Sequence, residues 1–179
     1  MKKIIKIAGM WTVGVVITIA VAILFLEVLS EYNYTSTIHE NAPVKTKRSL
    51  LIHAPVGNVW RVFTGVNQWP KWQHDIVEAS LQDPFKPGSV IHWTTNGFSI
   101  ESRLQTVVHN QKIGWAGKAF GSFAVHVWSF EEKGGNTIVT VEESMEGWLV
   151  WLMQGYVQSN LHVATEAWLE ALKAESERK

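Results

Sequence analysis

Residues able to move a proton or hold a charged group recur through the second half of this 179-residue chain: His92, Glu101, Arg103, His126, Glu142, Glu143 and Asn160. His126 is the most informative. It alternates with Trp128 and Phe130 in HVWSF, so on a strand all three share one face. A neutral imidazole there serves as a general base if a carboxylate or amide orients it and its free nitrogen reaches a substrate proton. Glu143 and Asn160 are the candidates for orienter or substrate contact. A reaction also needs a group that stabilises developing charge, and none is identifiable, so a hydrogen-bonded core imidazole remains the competing reading of His126. Glu101 and Arg103 alternate with Ile100, Ser102 and Leu104 and read as solvent-facing cross-strand partners; a carboxylate clamp is the alternative for Arg103.

Other chemistries lack their residues. The seven histidines never fall in H-x-x-x-H or H-E-x-x-H spacing, so no metal site is expected. With no cysteine there is no thiol nucleophile, thiolate-held cluster or disulfide. No Gly-rich phosphate loop precedes a helix and no G-x-S-x-G elbow is present. No cofactor is expected. Sixteen basic residues balance sixteen acidic ones, which argues against a nucleic-acid partner. Nine of the ten tryptophans lie beyond the first segment and offer rigid apolar surface to a core or a ligand. Trp60, Trp69 and Trp72 read as locks holding small helices on a sheet. The ligand-binding set is Trp128, Phe130, Leu152, Tyr156 and Asn160, grouped around His126.

The elements that must position these groups follow in chain order. Lys2, Lys3 and Lys6 precede an uncharged run over residues 7–26, whose helical length of roughly 30 Å matches a bilayer core. Residues 1–30 therefore read as a transmembrane anchor contacting lipid through 7–26. The charge bias puts the N-terminus in the cytoplasm and the domain on the outer side, periplasmic or extracellular. Residues 31–43 read as a short polar tether, and 44–179 as the folded domain. Strands are expected over 44–54, 76–81, 89–95, 98–109, 112–118, 123–132 and 137–143, with a short helix from Val56 ended by Gly65 and another near Trp69–Trp72. From Trp148 the chain reads as one long helix. Leu149, Leu152, Tyr156, Asn160, Ala164, Ala167 and Ala171 form its inward stripe, widened by Leu161, Trp168 and Leu172. Gly155, Ser159 and Asn160 interrupt the apolar cover, which predicts an unfilled space between sheet and helix. The apolar turn Trp148–Met153 needs cover on a further side: a loop such as 118–123, a second copy of the chain in a homodimer, or the bilayer headgroups.

Ala54-Pro55 followed by Val59-Trp60, the Trp69–Trp72 element, Pro87-Gly88, His126–Glu131, Asn136–Thr140 and Glu143–Gly147 before a long terminal helix make an ordered set. The set resembles the helix-grip superfamily, and within it the polyketide cyclase/dehydrase and lipid-transport-like (SRPBCC) proteins, relatives of START and Bet v 1 domains, over about residues 44–175. The resemblance implies an α+β fold, a curved antiparallel seven-stranded sheet wrapped around the C-terminal helix, with a large apolar cavity. It does not imply a single activity. The leading expectation is membrane-tethered binding or transfer of an apolar or amphipathic, lipid-like small molecule. The alternatives are a cyclase/dehydratase-type enzyme using His126 and a structural or chaperone-like interaction domain.

Overall fold

The computed structural model describes the backbone of residues 2–178 and the side chains of 11 and 14–178. Two compact units are separated between Tyr32 and Asn33. The first is the helix α1 (Lys2–Leu29). Among the described residues, no helix is long and apolar enough to cross a membrane. This overturns the transmembrane anchor expected over 1–30 and the bilayer contact of 7–26. The localisation built on it, N-terminus cytoplasmic and domain outside, falls too. The side chains of Lys2, Lys3 and Lys6, which carried the orientation, lie outside the described ones.

The second unit is a seven-stranded sheet with helices on its inner face. Its strands are β1 (Val44–Ile52), β2 (Ile76–Ser80), β3 (Val90–Thr95), β4 (Phe98–Val108), β5 (Lys112–Ala119), β6 (Ser122–Lys133) and β7 (Asn136–Glu146). They pair antiparallel in the order β1-β7-β6-β5-β4-β3-β2. The sheet is thus a meander from β2 to β7, with β1 returning to the far edge. Between β1 and β2 lie α2 (Val56–Thr64), a single 3-10 turn (Val66–Gln68) and α3 (Trp69–Trp72); after β7 come α4 (Trp148–Leu152) and α5 (Gln154–Ser176). Helix α2 starts directly after Pro55, which has no N–H to donate to a strand ladder, and ends at Gly65, whose N–H bonds Arg61 O. This is the helix-grip arrangement.

The register explains why one face of β6 and β7 is apolar. Trp128 stands opposite Val141 and Ile113, Phe130 opposite Val139, and His126 opposite Glu143 and Trp115. All face the helices: Phe63 of α2 packs on Trp115, Trp128 and Phe130, while Trp168 of α5 meets Phe63, Trp69, Trp72, Trp93 and Trp128. Trp168 sets the rotation of the terminal helix. Its buried face is Leu161, Thr165, Leu169, Leu172 and Ser176, so the expected stripe is rotated. A break at Met153 (φ −116°, ψ 28°) separates α4 from α5 and interrupts the continuous helical phase assumed from Trp148. As a result Leu152, Tyr156 and Asn160 face solvent.

The opposite face of the sheet is not bare. Residues 33–43, part of the stretch 31–43 expected as a short polar tether, lie across β5–β7. Tyr34 meets Phe123 edge to face, the His39 ring stacks on Phe123, and Ser36 O lies over Gly114, within van der Waals reach of the position a Cβ would take there. Phe123, Val125 and Val127 are buried on this side.

Candidate functional site

The site is built where β5, β6 and β7 run side by side at the inner face. His126 Nδ1 stands 2.9 Å from Glu143 Oε2, with side-chain exposures of 13% and 9%. Strand register alone brings them together, since His126 and Glu143 are direct partners on β6 and β7. The imidazole is stacked on Trp115 at 5.1 Å and 24° and meets Trp93 edge to face at 6.5 Å. With Nδ1 directed at the carboxylate, that nitrogen carries a proton, and in the neutral imidazole Nε2 then keeps its lone pair. Nε2 has no protein partner among the described residues. A histidine oriented by a buried carboxylate, with its second nitrogen free, has the geometry of a general base or of an acceptor for a ligand hydroxyl.

Next to this pair the tryptophans divide into two kinds. Trp69 Nε1 donates to Phe63 O (2.7 Å) and Trp93 Nε1 to Ser102 Oγ (3.0 Å). The N–H groups of Trp72, Trp115 and Trp128 are fully shielded and meet no acceptor among the described residues. Gln73 is similar: its Oε1 accepts Asp75 N–H (3.0 Å), while Nε2 is buried without a partner. Leaving one such donor unmet costs about 1–3 kcal/mol, and native interiors rarely contain one. Trp115 and Trp128 are stacked at 6.3 Å, and Trp72 and Trp128 both touch Trp168. The inner face therefore offers hydrogen-bond donors that meet no acceptor among the described residues. Sequence reading placed Trp72 as a packing lock and did not single out Trp115. The register signal for Trp115 was the hairpin turn after Phe120, which sets it opposite His126.

The other sequence-predicted residues are dispersed. Trp128 and Phe130 are buried on the inner face beside the pair. Leu152 and Tyr156 are 76% and 66% exposed, and Asn160 is exposed with its Nδ2 donating to Tyr156 O at 3.0 Å. The structure thus gathers His126, Glu143, Trp128 and Phe130 and leaves Leu152, Tyr156 and Asn160 outside the group. Glu142 points to the other face and pairs with Lys47 (3.2 Å). His92 and Glu101 are cross-strand neighbours in a surface groove of about 560 Å³ that Glu78 and Ser99 also line. Arg103 is exposed. Among the described residues no group of three or more His, Cys, Asp or Glu is placed to hold a metal ion.

Comparisons with known proteins agree with this architecture. A family model described as "Polyketide cyclase / dehydrase and lipid transport" matches residues 43–177. No curated protein matches the sequence. Among solved structures, the hypothetical protein jhp0584 of Helicobacter pylori is similar with a TM-score of 0.70 at 16% identity, covering 83% of this chain and 99% of its own. The Zhui aromatase/cyclase of Streptomyces sp. R1128 is similar with a TM-score of 0.64 at 13% identity, covering 75% and 93%. The di-domain ARO/CYC BexL of the BE-7585A biosynthetic pathway gives 0.63 at 17%, covering 78% of this chain and 52% of its own. At these identities the likeness is one of fold. With the family match spanning three quarters of its length, the chain belongs to the polyketide cyclase/dehydrase and lipid-transport family.

Proposed function

We propose that the domain binds a small, largely apolar molecule bearing a hydrogen-bond acceptor at the inner face of β5–β7, beside the His126–Glu143 pair. The observation that carries this reading is the group of buried indole N–H donors, Trp72, Trp115 and Trp128, with no acceptor among the described residues. A ligand oxygen supplies the missing acceptor, the indole faces supply apolar contact, and His126 Nε2 receives a ligand hydroxyl or orients a head group. The family description, which covers small apolar molecules, supports the same class.

Native mass spectrometry of protein purified from a lipid-containing host tests the reading, with a bound small molecule as the expected result. Titration with 9-fluorenone and with fluorene, followed by tryptophan fluorescence, tests the acceptor. The ketone is expected to bind about tenfold more tightly, and the difference should shrink in Trp128→Phe. Failure of both probes and an empty mass spectrum would remove the binding reading.

A second reading is an enzyme of the cyclase or dehydratase type, favoured by the 2.9 Å His126–Glu143 contact and the free Nε2. In it Glu143 holds the imidazole tautomer, and Nε2 removes a proton from an activated carbon or hydroxyl of the bound molecule. Under the binding reading, His126→Ala changes affinity modestly and nothing is converted. Conversion of the bound compound by the wild type and not by His126→Ala would put the enzyme first.

A further inference from the structure

We infer that the inner site continues past Glu143 to Thr46 on β1 and selects a ligand with an uncharged hydroxyl head group over one with a carboxylate or phosphate. The inference rests on the binding reading above and adds the class of head group to it. Strand register builds a polar row across four adjacent strands: Thr46 stands opposite Glu143, Glu143 opposite His126, and His126 opposite Trp115. Thr46 is 8% exposed, and its Oγ1 is fully shielded with no hydrogen-bond partner among the described residues. Directly opposed side chains on neighbouring strands have Cβ atoms about 4.5–5.5 Å apart, so one added oxygen between them can meet both the Thr46 hydroxyl and the Glu143 carboxylate. Only Oε2 of Glu143 meets His126, which leaves Oε1 to accept from such an oxygen.

The charge of the row decides which oxygen it takes. With a neutral imidazole the His126–Glu143 pair carries one negative charge, and with a protonated imidazole it carries none; in neither state does it offer a ligand net positive charge. The cations of the surrounding elements do not supply one. Arg48, two residues along β1 from Thr46, pairs with Glu166 (3.3 Å), and Lys45 and Lys47, on the other side of that strand, pair with Glu40 (3.3 Å) and Glu142 (3.2 Å). On α5, His162 is bonded to Gln158 (2.7 Å) and Lys173 donates to Leu51 O (2.8 Å), while Arg61 of α2 and Lys71 of α3 are exposed. A carboxylate or phosphate entering the row would leave water with no opposite charge to meet it, beside a carboxylate already buried. A hydroxyl avoids that cost. Because it both donates and accepts, it matches Thr46, Glu143 and His126 Nε2 in either protonation state.

Three probes that share one ketone test the head group: 9-fluorenone, 2-hydroxy-9-fluorenone and 9-fluorenone-2-carboxylate, titrated calorimetrically into the full chain at about pH 7, where the acid is ionised and the phenol is not. The hydroxyl is expected to raise affinity about fivefold over 9-fluorenone, and the carboxylate to lower it by roughly tenfold or more. Thr46→Val should bring 2-hydroxy-9-fluorenone down to the affinity of 9-fluorenone. Glu143→Gln removes the buried charge and should narrow the gap between the hydroxyl and carboxylate probes about tenfold, which a difference in the probes' own hydration would not do. Binding of 9-fluorenone together with equal affinities for the other two probes, or an unaltered hydroxyl gain in Thr46→Val, would overturn the inference and leave the binding reading standing. Failure of all three to bind would overturn the inference and, with an empty native mass spectrum, the reading beneath it. The wild-type series and Thr46→Val decide the matter even if Glu143→Gln does not fold.

Discussion

A histidine–glutamate pair lies on each side of β7, the inner one completed by β6 and the outer one by the 33–43 segment, and the pairs differ in what surrounds them. On the inner side His126 and Glu143 meet at 2.9 Å and are nearly buried, and among the described residues Nε2 has no partner and neighbouring indole N–H groups lack acceptors. On the outer side His39 and Glu146 also meet at 2.9 Å but are 19% and 31% exposed, and both ring nitrogens are engaged. A saturated network holds structure in place, because every group already has its partner. An unsaturated one costs stability unless something from outside completes it. The difference favours the inner face for the proposed binding and the outer one for bracing.

The strongest test of that contrast is Trp128. Trp128→Ala should destabilise the domain by about 3–5 kcal/mol through loss of a fully buried ring. Trp128→Phe should cost well under half as much, because it removes an unmet donor along with part of the ring. Urea denaturation of both variants measures the gap, and equal losses would show that the Trp128 N–H is satisfied. Next in size are the carboxylates. Glu143→Leu leaves the Nδ1 proton of His126 buried without an acceptor and should cost about 1–3 kcal/mol. Glu146→Leu, at a wetter pair, should cost about 0.5–1 kcal/mol. Reversal of that order would mean that the outer pair, not the inner one, is the stability determinant.

Smaller effects mark the limits of the inner site. Leu152→Gln and Tyr156→Gln alter exposed positions on α4 and α5 and should change stability by less than about 0.5 kcal/mol, with ligand affinity unchanged. A marked loss of affinity in either would extend the site to the C-terminal helix. The smallest effect concerns Glu177, whose carboxyl is held below the usual carboxylate range, first by the backbone N–H of His53 (2.6 Å) and then by Lys173. A lowered folded-state value adds stability that is present above the ordinary carboxylate range and lost as pH falls through the lowered value. Wild type and Glu177→Gln should therefore converge in urea midpoint under acid conditions and separate above them.

The sequence by itself determined the strands, their turns and the inward set His126, Trp128 and Phe130, because alternation along a strand is a local property that the chain cannot escape. It also identified the family, through an order of short motifs. The phase of the terminal helix was not legible: Leu152, Tyr156 and Asn160 are as regularly spaced as Leu161, Trp168 and Leu172, and either stripe satisfies a 3.6-residue period. The tertiary structure decided between them through the break at Met153 and the bulk of Trp168, which only α2, α3 and the inner sheet together can enclose. The role of 33–43 was likewise hidden. A polar segment without period reads as linker, and only the folded sheet presents Glu146, Ser144 and Phe123 at the spacing that His39 needs. Pairing of His126 with Glu143 lay between these cases: both residues were readable as candidates, but their contact depends on the β6–β7 register, which joins residues far apart in sequence.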